Sequence, residues 1–232
     1  MIGVLSLAHP DGQVFGFDAG ALCLELACGT GGEGFRARFE QLHTPADFVA
    51  WSALSRLDPV GHGVDPDEIP ARPADLTDVK RLREAIWSIA VAATGQPVPY
   101  ESTEPGPATG ADRPTGLERE FAVVNELAGG PPVVPQFGSA GGTPVWRKPV
   151  DARQLITEIA RDAVRTFSAP TVERVRMCAG QRCALIYLDT SRPGRRRWCS
   201  MQRCGNRNKV ADHRRRQQGA PQRHREQPAT PV

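Results

Sequence analysis

Lysine is almost missing from this chain: only Lys80, Lys148 and Lys209 occur, so arginine supplies nearly all of the positive charge. No segment offers about 18 consecutive apolar residues, so no membrane-spanning helix is expected. The start, Met1 to Asp11, lacks a basic segment followed by an apolar stretch, so no secretory signal is expected and the protein reads as cytoplasmic. A phosphate-binding glycine loop, an HExxH pair and a serine elbow are all absent, and the chain is expected not to be an enzyme. There is no internal repeat. Aromatic residues make up only 6% of the chain, and they form no stacking platform that would separate RNA from DNA as a partner.

What is present is the composition of a soluble protein. Of 232 residues, 40% are hydrophobic and 24% charged, which suits one packed domain of about 100 to 200 residues and something smaller. Twenty-one prolines and 23 glycines indicate generous loops. The net charge of +3 hides a strong asymmetry. Between Arg174 and Arg225 there are 15 Lys and Arg against two acids, Asp189 and Asp212, a local +13 that leaves −10 for the rest. An acidic body with a basic end points to a polyanion, nucleic acid or an anionic membrane surface, as the partner of that end; nucleic acid, with no membrane, is the expectation.

Local signals divide the chain further. Val14, Phe15 and Phe17, then Leu22, Leu24 and Leu26, suggest two short strands around the Asp18-Ala19-Gly20 turn. Thr44, Pro45 and Asp47 read as a cap and first turn leading into Phe48, Trp51, Leu54 and Leu57, a helix ending near Asp58. Leu76, Val79, Leu82, Ile86 and Ile89 describe a longer amphipathic helix that stops before Gly95. Residues 96–115 hold five prolines without periodicity and read as a flexible insertion. A short helix is expected from Leu117 to Leu127, a strand pair around Gly141-Gly142, and a helix capped by Asp151 that stops at Ser168 to Pro170. The body, residues 1–170, is therefore expected to be mainly α with a small β-hairpin, followed by a separate unit over 171–217 and a disordered tail over 218–232.

Six cysteines in a reducing compartment are better read as metal ligands, buried thiols or nucleophiles than as disulfides. Cys178, Cys183, Cys199 and Cys204 form two pairs with four residues inside each, separated by a stretch long enough for a hairpin. Four thiolates in two pairs suit a single structural zinc ion, with no open position for substrate. Leu185 to Leu188 and Arg196 to Trp198 are expected to be the two strands of that hairpin, with residues 189–194 as its turn. A helix should follow from about Gly205 to Arg216. The whole resembles a treble-clef or zinc-ribbon finger. Cys23 and Cys28 repeat the spacing but lack a second pair, and are expected to be buried thiols.

Arginines surround the cysteines. Arg192, Arg195, Arg196, Arg197, Arg203, Arg207, Lys209, Arg214, Arg215 and Arg216 are the candidate nucleic-acid contacts. Some of this charge must offset the formal −2 of a tetrathiolate zinc centre; the rest is available to a partner. On an extended segment Arg195 and Arg197 would share one face, and Arg196 and Trp198 the other. The alternative is that the finger is a basic plug for an acidic protein surface.

The run Cys204-Gly205-Asn206-Arg207, preceded by DTSRPGRRRWCSMQRC, resembles the CGNR zinc-finger family of bacterial proteins over residues 174–216. The body resembles the ABATE domain that precedes the finger in that family, through the stretch from Val14 to Cys28, the TPADFVAW helix and the LREAIW segment from Leu82 to Trp87. The resemblance implies a regulator of transcription with this domain order, the four cysteines gathered in one zinc site, and a finger that binds DNA. The body would then sense a signal, such as a small-molecule effector, or form a homodimer.

Overall fold

The computed structural model describes residues 3–9, 11–99, 116–139 and 141–218, apart from the side chains of residues 212, 213 and 216–218. Most of the insertion expected over 96–115, and all but the first residue of the tail expected over 218–232, lie outside the described residues. Strand β1 (Leu5–Ala8) pairs antiparallel with β2 (Val14–Phe17), Leu5 opposite Phe17. The expected hairpin is thus displaced toward the N-terminus. Its turn lies between Ala8 and Val14, closed by the His9 N–H to Gln13 and Gly12 N–H to His9 bonds.

The leucines read as the second strand form helix α1 (Leu22–Gly29) instead. Leu22, Leu24 and Leu26 do recur at every second position, but Cys23, Glu25 and Ala27 between them are buried as well. A segment enclosed on all sides carries no periodicity that could tell helix from strand. With Leu, Glu and Ala in the run, helix propensity decides.

Helix α2 (Pro45–Leu54) begins as the sequence indicates: Asp47 Oδ2 accepts the Thr44 N–H at 2.6 Å while the Thr44 side chain accepts from Asp47. It stops at Leu54, short of the expected end, because Ser55 turns to an extended conformation and its hydroxyl donates to the Ser52 carbonyl. Leu57 still reaches the core. Helix α3 (Pro73–Thr94) ends on Gly95 in the left-handed region, φ 61°. Helix α4 (Glu118–Ala128) precedes a short pair, β3 (Pro135–Phe137) with β4 (Pro144–Trp146). Helix α5 (Ala152–Phe167) starts from a reciprocal cap between Asp151 and Gln154.

Helices α3, α4 and α5 pack on one another, and α1 lies against α3 and α5. Leu24, Leu26, Leu82, Ile86, Leu155 and Ile159 are fully enclosed there, each worth about 1.5 to 3 kcal/mol of burial. One carboxylate is enclosed with them. Glu25 accepts the Arg56 N–H at 2.9 Å and pairs with the Arg56 guanidinium, which also reaches Asp18 at 2.6 Å. Burial pushes Glu25 up to about 7, only partly offset by Arg56.

The final section is built onto this body. Strand β5 (Val175–Met177) pairs antiparallel with β6 (Ile186–Leu188), and helix α6 (Asn206–Gln218) follows. Ile186 and Tyr187 are fully buried in the same apolar cluster as the body helices. The Leu188 N–H donates to the Ala19 carbonyl at 2.8 Å. Gly20, φ 76°, permits that approach, since a Cβ there would stand 2.2 Å from the Leu188 carbonyl oxygen. Among the described residues no helix is long and apolar enough to cross a membrane.

Candidate metal centre and basic surface

The β5–β6 hairpin holds the first cysteine pair in its own turn. Cys178 follows the last residue of β5, and its N–H donates to the Leu185 carbonyl at 2.9 Å. The chain then folds back tightly through Gly180 to Cys183, with Cys183 N–H to the Gly180 carbonyl at 3.2 Å and Gly180 N–H to Cys178 Sγ at 3.4 Å. Gly180 is needed here because a Cβ would lie 2.8 Å from Cys204 Sγ. The second pair sits at the entry to α6. Cys199 donates its N–H to Cys178 Sγ at 3.2 Å, and Cys204 lies in a single π-helical turn, Met201–Gly205, directly before the helix.

The four sulfurs all lie within 4.8 Å of one another, and Cys183 and Cys199 are separated by 3.8 Å. A tetrahedron with metal–sulfur bonds of about 2.3 Å has edges of roughly 3.8 Å. The donor set and its spacing therefore fit one zinc ion. Hydrogen bonds from the thiols of Cys183, Cys199 and Cys204, and the Cys199 N–H, hold the Cys178 thiol well below its ordinary value. Its proximity to Cys178, Cys183 and Cys204 pushes the Cys199 thiol up. Four thiolates can share this space only around a cation. Bound zinc would supply a cross-link between hairpin and helix, with every ligand position sulfur.

The expected returning strand is not there. Residues 196–198 make no ladder with β6, whose partner is the upstream strand β5. The backbone groups that a ladder would use are taken by side chains: the Arg196 N–H donates to Asp189 Oδ2 at 2.8 Å, and its carbonyl accepts the Tyr187 hydroxyl at 2.7 Å. Asp189 also accepts the Ser191 N–H and hydroxyl. Burial opposes the charge on Asp189, but these bonds win and hold its carboxyl below the usual value. The three-residue strand β5 was too short to leave a pattern in the sequence.

The ten basic candidates separate into classes. Arg192, Arg195, Arg197, Arg207, Lys209, Arg214 and Arg215 are exposed. Arg196 is committed inward: it lies over the Tyr187 ring at 4.0 Å and donates to the carbonyls of Trp198 and Cys199. Arg203 is only 4% exposed. It joins finger to body, donating to Gln13 at 2.7 Å and to Asp11 at 3.2 Å, with its guanidinium 5.3 Å from the Phe15 ring centre. Its hydrogen bonds hold the Asp11 carboxyl well below the usual range. The Arg216 side chain lies outside the described residues. Sequence reasoning missed the role of Arg203 because its partners stand some 190 residues away, beyond the reach of any local pattern.

Among the described residues, Cys23 and Cys28 belong to no cluster of metal-ligating side chains. The Cys23 thiol is fully buried on α1, and burial pushes its pKa up. Cys28, at the other end of the helix, donates to the Ile186 carbonyl at 3.4 Å.

Comparison with known families agrees with this division. The CGNR zinc finger matches residues 174–217. ABATE, described as "putative stress-induced transcription regulator", matches residues 20–170, more than half of the chain. The chain belongs to the ABATE family. No curated protein matches it. The ABATE match covers all the helices from α1 to α5, and the CGNR match contains all four clustered cysteines. Together with the sulfur cluster, the two matches mark a zinc-binding regulatory protein.

Proposed function

We propose that the CGNR finger binds nucleic acid, specifically duplex DNA, and that the protein regulates transcription through this contact without catalysing a reaction. The observation that carries this reading is the excess of exposed positive charge on the finger's surface. Arg192, Arg195 and Arg197 are exposed on the loop before the second cysteine pair, and Arg207, Lys209, Arg214 and Arg215 on α6. Between residues 174 and 211 the one acid is Asp189, which is 1% exposed and already bonded to Ser191 and Arg196. Asp11 of the body answers Arg207 in part, and the net positive charge of this surface repels itself and is relieved by phosphates.

If about six phosphates are neutralised, log affinity falls against log salt with a slope near −5. Fluorescence anisotropy of a labelled duplex across a salt series measures this directly, and a slope near zero would remove the proposal. Replacing Arg192, Arg195 and Arg197 together by alanine should weaken binding on every duplex sequence while zinc content stays unchanged, because none of the three touches the sulfur cluster.

A further inference from the structure

A cleft of about 990 Å³ lies between the ABATE part and the finger. The body contributes the helical turn Gly34–Phe39 and Trp87 of α3; the finger contributes the first knuckle and the face of α6 carrying Arg207, Ala211 and Arg214. Two chemistries meet in it. Phe15, Phe35, Phe39 and Trp87 make an aromatic wall, with Phe35 edge-on to Trp87 at 6.0 Å. Seven arginines also line it, and no Asp or Glu is found among the described residues that line the cleft.

Part of that positive charge is already answered. Arg36 lies over Trp87 at 4.2 Å and pairs with Glu84, while Arg203 is held by Asp11 and Gln13. Arg207 shares the same Asp11 at 3.4 Å. Arg38, whose Nε donates to the Phe35 carbonyl at 3.1 Å, is exposed on the body side; Arg214 is exposed on the finger side. The Cys28 thiol, which also lines the cleft, is pushed by burial up to about 11 and so adds no negative charge near neutrality.

The volume is that of a small-molecule site. An inorganic anion would leave the aromatic wall empty, and a neutral apolar molecule would leave the guanidinium groups without partners. Arginine forks favour planar carboxylates, and aromatic faces favour a flat ring. We propose that this cleft binds a small aromatic carboxylate, its ring against the Phe39 and Trp87 side and its carboxylate among Arg38, Arg207 and Arg214. Such a ligand touches both the body and α6, and so would fix the helix relative to the body. Any effect on DNA affinity rests on the preceding reading; ligand binding itself does not.

The test is isothermal titration calorimetry on the zinc-loaded full chain with naphthoate, its neutral analogue naphthylmethanol, and inorganic phosphate. Naphthoate is expected to bind once per chain, naphthylmethanol about tenfold more weakly or worse, and inorganic phosphate not measurably. Arg38→Ala should weaken naphthoate by about fivefold or more, and Ala211→Trp, which fills the cleft from α6, should abolish binding. Both positions are exposed, and circular dichroism with zinc analysis verifies that each variant is folded. No naphthoate binding, equal binding of the neutral analogue, or undiminished binding to the Ala211→Trp variant would each overturn the proposal. A flat salt dependence on DNA would leave it standing.

Discussion

The ABATE body and the CGNR finger are held together in opposite ways. In the body, four helices enclose large apolar side chains such as Leu24, Leu82, Ile86 and Leu155, and local caps at Thr44 and Asp151 start two of the helices. In the finger, the buried apolar side chains are few: Val175, Met177, Ala184, Ile186 and Tyr187, with three of the four clustered cysteines. Its surface is crowded with arginine. So small an apolar set does not order a segment of this length by itself. A zinc ion at the sulfur cluster would supply a cross-link that this set lacks, and the body lends a face through Ala19, Gly20, Asp11 and Gln13. A chain can thus contain one part folded by its own core and another folded by attachment.

The sharpest way to break this contrast is to remove the metal. Cys199→Ser, or chelation of the native protein, should forfeit much of the about 10 to 16 kcal/mol that a structural zinc supplies. Limited trypsin digestion read by mass spectrometry should then cut throughout residues 174–216 while the body helices stay protected. A chelated finger that stays resistant would end the metal-based account.

The converse experiment acts on the body. Ile86→Ala opens a cavity at a fully buried site and should cost about 2 to 5 kcal/mol in urea unfolding, with zinc content unchanged. Loss of zinc from the folded variant would show that the two parts are less distinct than described.

A smaller effect is expected at the seam between them. Arg203→Ala removes charge-assisted bonds to Asp11 and Gln13, worth about 1.5 to 3 kcal/mol. Hydrogen exchange should rise in the finger and at the β1–β2 turn and stay unchanged in α5. A double-mutant cycle with Gln13→Ala isolates their coupling.

The last effect belongs to the body and shows only as a slope in pH. Glu25 stands at about 7 when folded against 4.5 ordinarily. Between those values the native state keeps a proton that the unfolded chain has released, so this group's contribution to stability falls as pH rises through that window. The slope is at most about 1.4 kcal/mol per pH unit. In Glu25→Gln this component should vanish from the pH dependence of urea unfolding.

Legibility followed range. The starts of α2 and α5 could be read because their caps join residues three apart. The end of α3 was signalled by Gly95, which takes the left-handed conformation without strain. The metal quartet was equally plain, since two close cysteine pairs separated by a hairpin-length stretch suit a single zinc site. Misreadings arose where surroundings decide: α1 lost its periodicity through complete burial, and residues 196–198 lost their place in a ladder to the side chains of Asp189 and Tyr187.

The sequence by itself determined the four cysteines, the concentration of positive charge around them and the order of body before finger, because these depend on residue identity and spacing alone. Only the tertiary structure decided which arginines remain exposed, which strand pairs with β6, and that aromatic rings of the body face arginines of α6 across a cleft. Those outcomes are contacts between residues far apart in the chain. They arise when the body offers a surface on which the finger completes its burial.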